Sequence, residues 1–159
     1  MITTFDMFME TEVPEDELIV SRTDFTGKIT YVNDTFAEIS GYEPEELIGQ
    51  PHNVIRHPDM PKSVFADLWA TVQRGDTWEE YVKNCRKDGR YYWVFARVST
   101  VIKDGKAIEY KSVRESVSRE KKIEIQNLYD KLRSEEEGAT RVVLYLKNEN
   151  LEAAEALEE

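Results

Sequence analysis

The sequence predicts an α+β fold: a five-stranded, mainly antiparallel sheet with short helices on one side, an N-terminal cap and a C-terminal helical extension. Three observations predict it. Strand-like runs come as a pair and then as a trio, with only helical patterns between the two groups. Within the trio, Lys87-Asp88-Gly89 and Lys103-Asp104-Gly105 supply Asp-Gly hairpin turns, where glycine accepts positive φ. The segment before the trio repeats apolar residues at three- and four-residue spacing.

Residues 1–16 show no period and end on Pro14, Glu15 and Asp16; they read as a cap over a domain surface. Leu18 to Thr23 and Ile29 to Val32 are β-branched or aromatic runs around the Asp24–Lys28 turn, hence a hairpin. Asn33 or Asp34 can cap a two-turn helix that carries Phe36 and Ile39 and stops at Gly41. Pro44-Glu45-Glu46-Leu47 starts a second helix, with proline early, acids in the first turn, and Gly49 at its end. Residues 50–61 hold three prolines and two histidines and cannot form one long helix. Lys62 to Arg74 is the strongest helix, closed by Gly75. Strands follow over 78–86, 91–102 and 107–117. From Ser118 helix formers dominate, with Ile125, Leu128 and Leu132 as an apolar stripe; residues 139–157 read as helix, or as a strand at Val142 to Leu146. The chain thus divides into a cap (1–16), a sensor-sized domain (17–117) and a helical extension for signalling or dimerisation (118–159).

Composition narrows the function classes. The 159 residues are 40% apolar, enough for one core with a lined pocket. A net charge of −11 argues against nucleic acid and against anionic membrane surfaces, both of which need a clustered basic face. Cys85 is the single cysteine, so neither an internal disulfide nor a cysteine zinc cluster is available. With no apparent secretory signal, a cytoplasmic setting is expected. The longest apolar run, Val142 to Leu146, is far short of the roughly 20 residues that span a bilayer. A P-loop, a GxGxxG and a GxSxG are all missing, so no enzyme is expected.

Two motifs add a family. Asn33-Asp34-Thr35-Phe36 and the Gly41-Tyr42-Glu43-Pro44-Glu45-Glu46-Leu47-Ile48-Gly49 run resemble the PAS signature. Gly49-Gln50-Pro51-His52-Asn53-Val54-Ile55-Arg56-His57-Pro58-Asp59-Met60-Pro61 resembles the FAD-binding PAS domains of the aerotaxis-receptor type, and of separate PAS proteins that serve energy taxis. Phe65 to Trp69, Val82-Lys83-Asn84 and Tyr92-Trp93 follow the same pattern. The resemblance implies a PAS fold, non-covalent FAD, a redox, oxygen or energy-state sensing role, and a chemoreceptor or similar signalling partner, with homodimerisation through the terminal helices. The membrane anchor and receptor signalling segments of aerotaxis receptors do not occur in this sequence. It is expected to be either of the stand-alone kind or a piece of a longer chain.

The same resemblance implies the site. On chemistry alone, Asn84 is either a solvent-facing strand residue or, with its donor and acceptor, a partner for the flavin ring edge. Arg56, His57 and Asp59 are either a surface loop with a local ion pair or, as the family implies, a knot for the pyrophosphate and ribose. Phe65 and Trp69 share a helical face that is core by default and borders the flavin in this family. Trp78 is expected to stack on adenine or cover the mouth, Asn33 to sit near the cofactor besides capping, and Tyr92 to belong to the pocket.

Other cofactors fit less well. Asn84-Cys85-Arg86 echoes the adduct-forming motif of light-oxygen-voltage domains, but here it lies on a late strand, and alternation turns Cys85 away from Asn84. The only histidines, His52 and His57, lie on a proline-broken loop rather than on the helix where haem-binding PAS domains carry theirs. FMN in place of FAD, a cofactor-free interaction module and a small flavoenzyme stay open as alternatives.

Overall fold

The computed structural model describes residue 2 and residues 5–137. Five strands form one sheet in the order β2-β1-β5-β4-β3, antiparallel throughout: β1 (Ile19–Thr23), β2 (Ile29–Val32), β3 (Trp78–Cys85), β4 (Tyr91–Lys103) and β5 (Lys106–Glu115). Between the two strand groups lie α1 (Asp34–Ser40), α2 (Pro44–Leu47), a 3-10 turn (His52–Ile55) and α3 (Lys62–Gln73). The predicted order holds, with strand ends shifted by one or two residues, as is usual where pairing frays.

Local chemistry explains the boundaries. Asp104 and Gly105 both take positive φ, 51° and 78°, which makes the β4–β5 connection a two-residue hairpin turn. Asn33 caps α1 by accepting from the Phe36 N–H at 3.0 Å, and Gly41 ends it in the left-handed conformation. After α2 the chain runs back along the first hairpin: Gly49 N–H donates to Ile29 O, Ile29 N–H to Gln50 O, and His52 N–H to Gly27 O. This ladder carries His52 and Asn53 over the inner face of the sheet.

Side-chain alternation divides the sheet. Val82, Asn84, Tyr92, Val94, Val98, Ser112 and Arg114 face the helices; Tyr81, Lys83, Tyr91 and Trp93 face the other side. That outer face is covered by α4 (Arg119–Glu137) and by the N-terminal segment, where Thr11 N–H donates to Tyr91 O at 2.7 Å. Tyr129 stacks on Trp93 and donates its hydroxyl to Tyr81 O at 2.5 Å. The expected Ile125–Leu128–Leu132 stripe is corrected in part. Ile125, Tyr129 and Arg133 are buried on one helical face and Leu132 packs beside them, but Leu128 is exposed. Spacing alone could not choose among Leu128, Tyr129 and Arg133, because the sheet face under α4 is partly polar. The readings made for residues 139–157 lie outside the described residues.

Candidate functional site

Between α3 and the inner face of the sheet is a cavity of about 330 Å³, at the small end of ligand pockets of roughly 300–1,000 Å³. Phe65, Leu68 and Trp69 of α3 form one wall, and Val82, Val98 and Tyr110 of the sheet form another. Gly27 in the first hairpin turn and Pro51, His52 and Asn53 complete it. The spacing between helix and sheet therefore produces an apolar slot with flat aromatic sides. Trp69 and Tyr110 lie 6.1 Å apart between ring centroids.

The polar groups are few and lopsided in charge. Arg56, Lys111 and Arg114 belong to the wall, and among the described residues no acidic one does, although the whole chain carries −11. Asn84, 2% exposed, accepts from Arg114 Nη1 at 3.0 Å through Oδ1. Arg56 lies over the Phe65 ring, its guanidinium carbon 3.6 Å from the centroid, and is exposed. His52 Nε2 is 3.1 Å from Ser21 Oγ; burial, aided by Arg114 and Arg56, pulls its pKa down to about 3, so the ring is neutral.

Of the residues expected at the site, Arg56, Phe65, Trp69 and Asn84 meet at this cavity. The others stand off its wall. Asn33 is consumed by structure: Oδ1 also accepts from Val20 N–H at 3.0 Å and Nδ2 donates to Leu18 O at 2.9 Å, tying α1 to β1. Trp78 is buried under α3 with its indole N–H on Asp67 at 3.0 Å. Tyr92 lies on the inner face opposite Asn84 but is wholly buried, and burial pushes its hydroxyl well above the usual phenol range.

His57 and Asp59 diverge most from expectation. The chain crosses the edge of β3 at the Arg56–Asn84 bridge, so residues beyond Arg56 turn toward the outer face. There Asp59 accepts from Lys83 Nζ at 3.2 Å, and Lys83 also reaches Gln126 Oε1 at 3.1 Å. Arg133 donates to Asp59 O at 2.6 Å. His57 Nδ1 accepts from Asp59 N–H at 3.0 Å; burial and then Lys83 hold its pKa at about 4. Burial works to raise the Asp59 carboxyl, but His57, Lys83 and Arg133 together keep it below its ordinary value. The Arg-His-Pro-Asp string is thus divided between a cavity and a helix-docking cluster.

Sequence reasoning missed His52, Tyr110 and Arg114. His52 lies in the quoted run, where its ring suggests only a metal or haem ligand; Arg114 sits in a polar strand that gives no outward sign of which way it faces. Cys85 is absent from the cavity wall, and burial pushes its thiol up to about 11. Among the described residues no cluster of three or more His, Cys, Asp or Glu could hold a metal ion, and no helix is long and apolar enough to cross a membrane.

Residues 29–114 match the PAS fold family. The aerotaxis receptor of Escherichia coli (strain K12) is 44% identical over 122 residues, covering 77% of this chain and 24% of that receptor. The nitrogen fixation regulatory protein of Klebsiella pneumoniae is 25% identical over 68% of this chain and 22% of its own length. This chain therefore spans only a minor part of the relatives it matches. Among solved structures, a light-oxygen-voltage domain studied with a flavin analogue superposes with a TM-score of 0.60 at 20% identity, covering 72% of this chain and 87% of that one. The light-state aureochrome1 light-oxygen-voltage domain gives 0.60 at 18% identity, over 71% and 92% of the two chains. These structural likenesses are of fold. The chain belongs to the PAS fold family, and among its relatives it is similar to the PAS-bearing part of the aerotaxis receptor.

Proposed function

We propose that this chain is a flavin-binding sensor module, holding FAD non-covalently and passing its redox state to a chemoreceptor-type signalling partner in aerotaxis or energy taxis. The observation that carries the reading is the cavity wall: aromatic and aliphatic sides, two arginines and a lysine, and no acidic residue among those described, in a strongly acidic chain. Such a site favours a flat ring with electron-rich edges joined to an anionic group. Flavin fits that description. The slot between Trp69, Leu68 and the sheet suits the ring, Asn84 and Arg114 suit its polar edge, and exposed Arg56 suits a phosphate at the mouth.

Bound flavin supplies reversible electron uptake; this chain's residues would orient the ring, shield it from water and answer its changing hydrogen-bond demand. Asn84 is the residue best placed to answer, because its amide carries both a donor and an acceptor and its Oδ1 is already tied to Arg114. Its neighbour Lys83 bonds Asp59 and Gln126 on the outer face, which gives a route from the cavity to α4 through one peptide and a hydrogen bond. On this reading residues 118–159 are the output segment, and homodimerisation or receptor contact would act through it.

The test is an absorbance spectrum of the purified full chain, before and after adding FAD or FMN, with anaerobic dithionite and then air. Flavin bands that bleach and return support a redox-active flavoprotein, and release of the cofactor on heating identifies FAD or FMN. A protein that stays colourless after both additions overturns the proposal in favour of a cofactor-free interaction module. Steady NADH oxidation by the isolated protein would instead point to a flavoenzyme.

A further inference from the structure

Arg114 is a buried cation without a counter-ion among the described residues. It is 7% exposed, and its two hydrogen bonds go to neutral acceptors: Nη1 to Asn84 Oδ1 at 3.0 Å and Nε to Ser112 Oγ at 2.9 Å. The titratable groups facing it do not neutralise it. Tyr92 on β4 is held in its phenol form by burial, and His52 on the 3-10 turn is neutral. Arg56, from the following loop, adds a second positive charge to the same cavity. Burial lowers the Arg114 guanidinium to about 10, which still leaves it charged at neutral pH. A buried charge carries a large desolvation cost unless it is paired. Four other buried or half-buried cations have a carboxylate: Lys83 has Asp59, Arg133 has Asp130, Lys122 has Glu10, and Arg22 has Glu109; half-buried Lys111, on the same cavity wall, adds a further positive charge there.

We propose that Arg114 sets the charge of the bound ligand: it faces the pyrimidine edge of flavin and holds the reduced ring as an anion, so that reduction takes up one proton rather than two. The inference rests on the flavin reading above and adds to it the protonation state on which a sensor's potential depends. The step balances. Two electrons from an external reductant and one proton are taken up, the proton at N5; the N1 side keeps its electron pair, and the resulting negative charge is neutralised by the guanidinium. Asn84 would act as a positioning residue, because its Oδ1 fixes the plane and reach of Arg114.

The test uses the full chain loaded with FAD and reduced anaerobically with redox dyes from about pH 5.5 to 8. The slope of midpoint potential against pH counts protons per electron pair, each proton adding about 30 mV per pH unit for a two-electron couple. One proton is expected across that range in the wild type and in Arg114→Lys. In Arg114→Gln, two protons are expected at the acid end, with affinity for the reduced form weakened at least tenfold relative to the oxidised form. Two protons in the wild type near pH 5.5, or an Arg114→Gln slope equal to wild type, overturns the proposal while leaving flavin binding intact. A chain that takes up no FAD overturns both. Ligand-free stability gives an independent reading, since the amide introduced by Arg114→Gln ends where Arg114 Nε lies and can still donate to Ser112 Oγ without burying a charge. Arg114→Gln should therefore raise Tm without ligand; a marked fall would show that the charge serves the fold and not the ligand.

Discussion

Lys83 and Asn84 are consecutive on β3 yet serve opposite faces of the sheet: Asn84 bonds Arg114 in the cavity, and Lys83 bonds Asp59 and Gln126 beneath α4. A rotation of this peptide is felt on both sides at once. Lys83→Met would keep the buried stem and delete the ammonium, leaving Asp59 with less neutralisation. Because Asp59 is partly exposed, the expected cost is below that of breaking a fully buried pair, about 1–3 kcal/mol. Hydrogen exchange should rise across 119–136 while β1 and β2 keep their protection. Equal protection of α4 in wild type and variant would refute the idea that this cluster docks the helix.

Asn33 distinguishes a structural from a binding role. Its side chain accepts from two backbone N–H groups and donates to one carbonyl, all within protein. Asn33→Ala should cost about 1–3 kcal/mol through the lost cap and the stranded Val20 N–H. The folded fraction should bind FAD as wild type does. A large loss of FAD affinity without loss of stability, measured by parallel titration and urea unfolding, would restore Asn33 to the site.

How far the sequence reached depended on whether a local rule governed each element. Asp104-Gly105 specified its own turn, Asn33 its own cap, and the 62–74 spacing its own helix, because each signal acts within a few residues. The facing of β5 did not follow from such a rule. Counting outward from the turn pairs Lys103 with Lys106 and would pair Val98 with Lys111, turning Arg114 away from the cavity. A register shift between Val101 and Ile102 pairs Val98 with Ser112 instead, and Arg114 turns inward. Likewise the placement of His57 and Asp59 off the cavity wall was not legible, because crossing the β3 edge reverses which side a residue faces, and proline-broken loops carry no period to reveal it.

Both histidines predict acid sensitivity with a definite sign. Their folded values, about 3 for His52 and about 4 for His57, lie below the ordinary 6.5. Between those limits the unfolded chain binds protons that the folded chain refuses, so stability falls as pH falls. The loss should begin below about pH 6.5, before most carboxylates titrate, with up to two protons taken up on unfolding. His57→Gln should remove about one of them, as read from the slope of unfolding free energy between about pH 6.5 and 5.5. An unchanged slope in that variant would mean that His57 titrates normally in the folded protein.

Gly27 joins backbone geometry to the cavity wall. Its φ is +89°, and a Cβ there would sit 3.2 Å from Trp69 Cη2. The turn has little freedom to relax: Asp24 Oδ1 accepts from Thr26 N–H at 2.9 Å and Lys28 N–H at 3.0 Å, while Gly27 O accepts from His52 N–H at 3.0 Å. Gly27→Ala therefore has two effects, a left-handed backbone cost of about 1–2 kcal/mol and a push on the Trp69 ring. Gly105→Ala separates them, since Gly105 has φ +78° and open space where its Cβ would go. Both variants should lose similar stability, but only Gly27→Ala should shift tryptophan fluorescence and weaken FAD binding severalfold. If Gly105→Ala weakens FAD equally, the effect belongs to general destabilisation and Trp69 is not a wall of the binding site. If neither changes binding, the slot beside Trp69 is not where the ring lies.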